Sequence, residues 1–293
     1  MKRTILNDTG KIIFIEGNPG SGKTSFSQRL KADLTKLGYQ VKHFQEGDLH
    51  PIDLAWCAIL DESMFKDIQL RYPDLNDDMM AFTKKVNDHY IFAYTKVDYQ
   101  KATKAFYQEM ETYEIYRSND MTNFKKAHIE LWQSFSEERQ RDKVYIFECI
   151  YLQNHINQLM LKYDLSNQET IQYFKDLMNP LIDDQPHLFF IFQDDVEAVI
   201  KRISEERRTN DKDKFQDWID RVVGYIGAMP NAKKNNYIDY QGTIQYFKDR
   251  QRLSIEILEH LPLKHTCVTL KDDYEIVYKK IKDKTLSLLK NQR

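Results

Sequence analysis

The sequence of 293 residues is poor in cysteine, in glycine and in long apolar runs. Its cysteines, Cys57, Cys149 and Cys267, lie far apart without a CxxC pair, so they favour neither a disulfide framework nor a zinc site. No apolar stretch approaches the roughly 18 residues of a membrane span, and the N-terminus lacks the apolar core of a signal peptide. We therefore expect no membrane partner and a reducing, cytoplasmic location.

The sequence also lacks an excess of charge of either sign. Lysine and arginine together number 43 against 45 aspartates and glutamates, and the pI is about 6.5. A protein that binds nucleic acid without sequence preference normally needs a surplus of basic residues to neutralise phosphates. We expect no nucleic-acid partner.

The few glycines are concentrated near the N-terminus, where six of the nine fall within the first 47 residues. Lys11–Glu16 is a short apolar run that predicts a buried parallel strand. After a glycine-rich loop, apolar residues recur at helical spacing from Phe26 to Leu37, and Gly38 predicts the end of this helix. Tyr39–Phe44 predicts a second strand, which completes a strand–loop–helix–strand unit.

Strand patterns return at Lys143–Glu148, His187–Gln193 and His265–Leu270, and helical patterns follow the last two. Strands that alternate with helices predict an α/β fold with a parallel sheet covered on both faces. Between these strands, residues 51–141 contain no glycine and are rich in aromatic and charged residues. We predict helices near 52–71, 77–95, 99–110 and 121–140, as a helical insertion or cap within a single domain of residues 1–293.

The glycine-rich loop matches the phosphate-binding pattern G-x-x-x-x-G-K-[ST] at every fixed position. Its backbone N–H groups and the following helix N-terminus would hold a polyphosphate. Lys23 would reach the β- and γ-phosphates, and the hydroxyl of Thr24 would bind Mg²⁺. The predicted cofactors are ATP and Mg²⁺. The predicted nucleotide-binding residues are Gly17, Asn18, Pro19, Gly20, Ser21, Gly22, Lys23, Thr24 and Ser25.

A second acidic group is expected opposite this loop, because the metal needs a carboxylate there. Glu148 ends the apolar strand at Val144–Phe147, which is the usual place of such an acid. We predict that Glu148 and Thr24 form the metal site. Asp194 and Asp195 also follow a strand, but they are more typical of a helix N-cap and its first turn.

With these residues in place, the chain resembles the P-loop kinases of the thymidylate kinase and deoxynucleoside kinase group. The resemblance lies in EGNPGSGKTS and in the strand and helix from His187 to Arg208, and it covers residues 11–48 and 143–290. It implies a P-loop NTPase sandwich with a parallel sheet of about five strands and a lid near residues 204–214. It also implies that Arg202, Arg207 and Arg208 stabilise the transferring phosphoryl group.

The acceptor side departs from the pattern of that group. Those kinases commonly have an acidic residue followed by arginine after the third strand, whereas this chain has Glu148 followed by Cys149. At the end of the second strand, Glu46 and Asp48 are candidates for the general base that accepts a proton from the acceptor. The insertion would recognise the acceptor.

These observations lead to the hypothesis of a kinase that transfers phosphate from ATP to a small-molecule acceptor, nucleoside- or nucleotide-like. The alternative is a nucleotide-binding regulatory ATPase or switch whose helical insertion binds a protein. A toxin-like kinase acting on an activated sugar is a third hypothesis. Oligomer formation stays open.

Overall fold

The structure is a computed structural model, and it describes residues 10–212, 216–271 and 273–290. It divides into two compact units, and each is described by itself below. One unit comprises the residues up to 46 together with those from 140 onwards, and the other comprises Gly47–Arg139. We refer to them as the P-loop unit and the inserted unit.

The described residues form strands of three to seven residues. In chain order the strands are β1 (Lys11–Gly17), β2 (Val41–Phe44), β3 (Ala58–Leu60), β4 (Thr83–Val86), β5 (His89–Phe92), β6 (Val144–Glu148), β7 (His187–Phe192) and β8 (Lys264–Thr269).

The α-helices of the described residues range from one and a half turns to almost six turns. They are α1 (Lys23–Lys36), α2 (Glu62–Arg71), α3 (Asn76–Ala81), α4 (Lys104–Thr112), α5 (Met121–Glu138), α6 (Gln153–Gln158), α7 (Asn167–Met178), α8 (Val196–Glu206), α9 (Trp218–Gly227), α10 (Tyr240–His260) and α11 (Tyr274–Lys290).

The P-loop unit is built on a five-stranded parallel sheet with the strand order β2-β6-β1-β7-β8. Its central strand, β1, is buried along its whole length, which explains why its sequence is apolar on both faces. The parallel α/β fold with the glycine loop after β1 is that of a P-loop NTPase, as predicted from the sequence. All five predicted strands are present, with ends that differ by one or two residues.

Helices cover both faces of this sheet. Ile13 and Ile15 of β1 pack in one apolar cluster with residues of α1 and α11. Phe14, between them, points to the opposite face, where its ring lies 5.3 Å from that of Tyr151, and Tyr151 in turn lies 5.2 Å from Phe174 of α7. Because successive side chains of a strand point to opposite faces, one apolar strand joins two layers of helices into a three-layer sandwich.

Helix α1 ends as its sequence predicts, although its apolar face is shorter than expected. Phe26, Leu30 and Leu34 are completely buried. Leu37 was expected to continue this face, but it is 56% exposed because it is the C-cap, where the chain leaves the helix. Gly38 follows with φ 88°, a left-handed conformation that glycine adopts without strain.

The inserted unit differs from the prediction of helices alone. Helices α2 and α5 lie within the predicted segments, and α4 ends two residues beyond its segment. The helix predicted at 52–71 is wrong over its first half, which contains β3, and the helix predicted at 77–95 is wrong over its second half. There β4 and β5 form a hairpin, and β3 pairs with β5 in a three-stranded antiparallel sheet. The hairpin turns at Asn87, whose φ is 52°; asparagine tolerates this conformation better than most residues. Neither strand shows the period-two alternation of polar and apolar residues that would predict it, since β4 reads TKKV and β5 reads HYIF.

The inserted unit also has an apolar core of its own, which includes Phe65, Phe92 and Phe106. Across the described ranges of both units, no helix combines the length and the apolar character that crossing a membrane requires.

Candidate functional site

The loop Gly17–Thr24 connects the end of β1 to the start of α1. Gly20 has φ 74°, and a Cβ there would lie 2.6 Å from a methyl carbon of Ile203 in α8. Gly22 has φ 83° and stands at the N-cap of α1, where it offers no side chain to the first-turn N–H groups. Glycine is therefore required at both positions, and the helix N-terminus remains able to receive an anion.

Lys23 follows this turn and is only 7% exposed. Its ammonium group donates hydrogen bonds to the carbonyl oxygens of Gly17 at 2.9 Å and Asn18 at 3.0 Å. The lysine side chain therefore folds back over the loop that precedes it. Its charge lies beside the N–H groups that make such loops bind phosphate.

Glu148 lies at the end of β6, next to the P-loop. The register pairs it with Ile15 of β1, two residues before the loop begins. The hydroxyl of Thr24 donates a hydrogen bond to Oε1 of Glu148, and the hydroxyl of Ser27 donates one to Oε2 at 3.2 Å. The sequence-based pairing of Thr24 with Glu148 thus corresponds to a direct contact.

The burial and hydrogen bonds of Glu148 bear on whether this site can bind a magnesium ion. Glu148 is 2% exposed, and burial raises the pKa of its carboxyl group, while the Thr24 hydrogen bond and the charge of Lys23 oppose the rise. A hydroxyl and a carboxylate are the hard oxygen donors that Mg²⁺ prefers, and a cation would relieve the cost of burying the carboxylate. Thr24 and Glu148 therefore fit a magnesium site.

A second buried carboxylate, Glu16, was not assigned a role from the sequence. It is completely buried at the end of β1, and it accepts hydrogen bonds from the backbone N–H groups of Tyr151 at 2.7 Å and Gln153 at 3.2 Å. Burial raises the pKa of Glu16 to about 7, against the opposing effect of these N–H groups and of Lys23. The signal in the sequence was an acid at the end of an otherwise apolar strand.

Helix α10 holds the P-loop through residues that the sequence did not single out. Asn18 donates to the carbonyl oxygen of Phe247 at 3.0 Å, and its side-chain oxygen accepts from Arg250 at 2.8 and 3.1 Å. Gln193 donates to the carbonyl oxygen of Pro19 at 2.9 Å. No short motif marks these positions, because α10 meets the loop only through the tertiary fold.

These elements surround a cavity of about 730 Å³. One part of its wall is formed by the P-loop and Glu148, and another by aromatic residues of α9 and α10. The residues that line the cavity beyond the loop include Glu46, Glu148, Gln153, Asn157, Arg202, Arg207, Trp218, Tyr225, Tyr246, Phe247, Arg250, Leu270 and Tyr274.

The three predicted lid arginines have different surroundings. Arg202 is exposed on α8, pairs with Glu206 at 2.7 Å, and lies 3.5 Å from the carbonyl oxygen of Gly20. The guanidinium of Arg207 lies 5.0 Å from the ring centre of Trp218. Both line the cavity, whereas Arg208 is exposed and does not line it. The last two residues of the predicted lid at 204–214 lie outside the described residues.

The two candidate bases also differ. Glu46 lines the cavity and lies 3.4 Å from the side-chain nitrogen of Gln153. Asp48 belongs to the inserted unit, where its carboxylate lies 3.7 Å from the ammonium group of Lys96. Asp195 is the N-cap of α8, as predicted, and accepts from the N–H group of Ala198.

The chain matches no model of a known protein family. It also has no significant sequence match among curated proteins. Among solved structures it is similar to a herpesvirus thymidine kinase, EHV4-TK, in complex with TP4A, with 11% identity and a TM-score of 0.35 over 95% of this chain and 90% of the other. The complex of EHV4-TK with Thy and ADP gives 14% identity and a TM-score of 0.34, over 95% and 89%. The fold assignment rests on the sheet order and the P-loop described above.

Proposed function

We propose that this chain is an ATP-dependent phosphotransferase of the P-loop kinase type that acts on a small-molecule acceptor. One observation carries the proposal. One cavity is lined by the P-loop with its lysine, by the pair of Thr24 and Glu148, and by the carboxylate of Glu46. A phosphate grip, a metal site and a candidate base are the parts that phosphoryl transfer to an acceptor requires.

The donor side follows from the loop and its neighbours. The N–H groups at the start of α1 and the ammonium of Lys23 bind the β- and γ-phosphates of ATP. Thr24 and Glu148 hold Mg²⁺, which neutralises charge on the phosphates when it is bound. Arg202 and Arg207 line the cavity and stabilise charge on the transferring group, a task that suits a planar guanidinium.

The acceptor side is supported by Glu46 and by the aromatic wall. Glu46 accepts the proton of an acceptor hydroxyl as that oxygen attacks the γ-phosphorus. Trp218, Tyr225 and Tyr246 offer flat apolar faces that suit a ring such as a nucleobase or a sugar. These features favour an acceptor of the nucleoside, nucleotide or sugar type.

The test is a measurement of ADP production from MgATP with and without a panel of such acceptors. The proposal predicts that at least one acceptor raises the rate well above the basal rate, and that a phosphorylated acceptor accumulates in equal amount. ADP production that no acceptor changes would contradict it and would favour the alternative, a regulatory ATPase or switch.

A further inference from the structure

Arg250 is a buried cation in the wall of the cavity. The residue is 4% exposed and belongs to the buried side of α10. Three of the five N–H groups of its guanidinium are used: two donate to Asn18 and one to Asn157, in each case to an amide oxygen. The Tyr246 hydroxyl is a further partner of the guanidinium, and the ring centre of Phe247 lies 5.0 Å from it. The side chain lines the cavity, where an anionic ligand can reach it.

The charge of Arg250 has no acidic counterpart in the described ranges. Its guanidinium forms no ion pair with a carboxylate there, because its hydrogen-bonding partners, two amides and the Tyr246 hydroxyl, are all neutral. Buried charges in proteins are normally paired, since an unpaired charge loses its hydration without compensation. An anionic group of a bound molecule would supply the missing charge.

Arg250 and Glu46 are connected along one side of α6. Gln153 contacts Glu46 at 3.4 Å, and Asn157 accepts from Arg250 at 3.0 Å. Gln153 and Asn157 are four residues apart on the same helix, so they lie one above the other about one helical turn apart. The candidate base and the buried cation therefore face the cavity at a separation that a small molecule spans.

Arg250 contacts the P-loop at Asn18 and also reaches Asn157, which lies outside the loop. The P-loop amides and Lys23 already provide for the triphosphate, at the start of α1. The guanidinium extends from Asn18 of the loop towards Asn157 of α6, which belongs to the segment after β6. An anion bound beside Asn157 would share a wall of the cavity with Gln153, which contacts Glu46.

We propose that the acceptor is an alcohol that also carries a phosphate or carboxylate group, and that Arg250 binds this anion. The inference rests on the proposed function and narrows its substrate class. The hydroxyl oxygen forms the new bond to the γ-phosphorus, its proton passes to Glu46, and the bond from the γ-phosphorus to the bridging oxygen breaks to release ADP. The anion held by Arg250 is unchanged, and it fixes the position of the molecule through paired hydrogen bonds.

The experiment offers alcohols in pairs, one member with and one without an anionic group. Such pairs are ribose and ribose 5-phosphate, glycerol and glycerol 3-phosphate, glycerol and glycerate, and thymidine and its 5′-monophosphate. Acceptor-dependent ADP production from MgATP is measured for each member. We expect the anionic members alone to stimulate the enzyme, and a phosphate ester is told from a carboxylate by comparing the two glycerol pairs.

Three variants test the role of Arg250. Arg250→Gln removes the charge, and Asn157→Asp neutralises it with a carboxylate that still accepts from Tyr246 and Arg250. Both are expected to raise KM for the anionic acceptor by about tenfold or more, and by more than they raise KM for MgATP. Arg252→Gln, on the exposed side of the same helix, is the matched control and keeps the wild-type KM. Because Asn157→Asp retains the hydrogen bonds, it remains informative if Arg250→Gln does not fold.

The outcomes separate the two proposals. If neutral alcohols are preferred, or if both variants keep the wild-type acceptor KM, the anion site is wrong and the kinase assignment stands. A rise of KM for MgATP without a rise for the acceptor would assign Arg250 to the donor, which also contradicts the inference. If no acceptor stimulates the wild-type protein, the proposed function fails and the inference fails with it.

Discussion

The hydroxyl of Thr24 donates a hydrogen bond to the carboxylate of Glu148, although 124 positions separate the two residues in the chain. The contact forms because β1 and β6 are neighbours in the parallel sheet, so the residue that ends β6 meets the helix that follows β1. A buried carboxylate is thereby held beside the phosphate loop. Five experiments test the roles that this and related contacts suggest.

Replacement of Glu148 by glutamine removes the charge and keeps the size of the side chain. We expect the Mg²⁺ concentration for half-maximal activity to rise by about tenfold or more. The uncharged amide binds the ion, and the water molecules around the ion, more weakly than the carboxylate does. The measurement is a titration of Mg²⁺ at fixed ATP. Glu137→Gln, an exposed change on α5, is the control. An unchanged magnesium requirement would exclude Glu148 from the metal site.

The lid arginines should separate into two classes. Arg202 and Arg207 line the cavity, whereas Arg208 does not. We expect the double change to alanine at Arg202 and Arg207 to lower kcat by on the order of 10³, the range of arginines that stabilise a transferring phosphoryl group. Arg208→Ala should stay close to the wild-type rate. Equal losses for the double and the single variant would contradict this assignment.

The two candidate bases should also behave differently. We expect Glu46→Gln to lower kcat by about 10² or more, because a general base typically contributes that much. Asp48→Asn serves as the comparison, since Asp48 is paired with Lys96 in the inserted unit, and its kcat should change little. The measurement is the single-turnover rate of each variant at saturating acceptor. The reverse order of effects would assign the base to Asp48.

Glu16 should make stability depend on pH. Its pKa is about 7 in the folded protein, above the value of 4.5 of an unperturbed glutamate carboxyl, so between these values the folded state keeps a proton that the unfolded state loses. The free energy of unfolding should therefore fall as pH rises through this window, by about 3 kcal/mol.

The matched variant for this effect is Glu16→Gln, which cannot ionise. Urea denaturation of both proteins from pH 4.5 to 7.5, without nucleotide, should show the wild type losing stability relative to the variant as pH rises. The difference should still grow up to pH 7.5 and level off only about one unit above pH 7, where Glu16 is ionised in both states. Parallel pH profiles would show that Glu16 does not titrate in this range.

Much of the geometry around the P-loop could be predicted from the sequence, because its signals are local. The strand is identified by the apolar run from Lys11 to Glu16, the loop by the spacing of its glycines, and the helix by the apolar face of α1. None of these signals needs knowledge of the rest of the chain. Glu148 could be predicted because strand ends in parallel sheets meet at one edge. Residues such as Arg250 and Asn18 could not be paired, since their contact spans 232 positions.

The inserted unit shows the opposite case. Its hairpin at Asn87 is short, and its strands have only four residues each, TKKV and HYIF, without alternation of polar and apolar residues. A pattern this short is compatible with a helix, and the aromatic residues on both sides pack in either structure. Whether these residues form strands or a helix depends on pairing with β3, which lies more than 20 residues earlier in the chain.

The central claim is that the loop at Gly17–Thr24 grips a triphosphate together with Mg²⁺, and Lys23→Ala tests it most directly. Isothermal titration of MgATP into the wild-type protein and the variant is the measurement, with Lys31→Ala on the exposed side of α1 as the control. We expect saturable, magnesium-dependent binding to the wild type and the control. The variant should bind much more weakly without loss of fold. Absence of binding to the wild type, or equal affinity in the variant, would contradict the account.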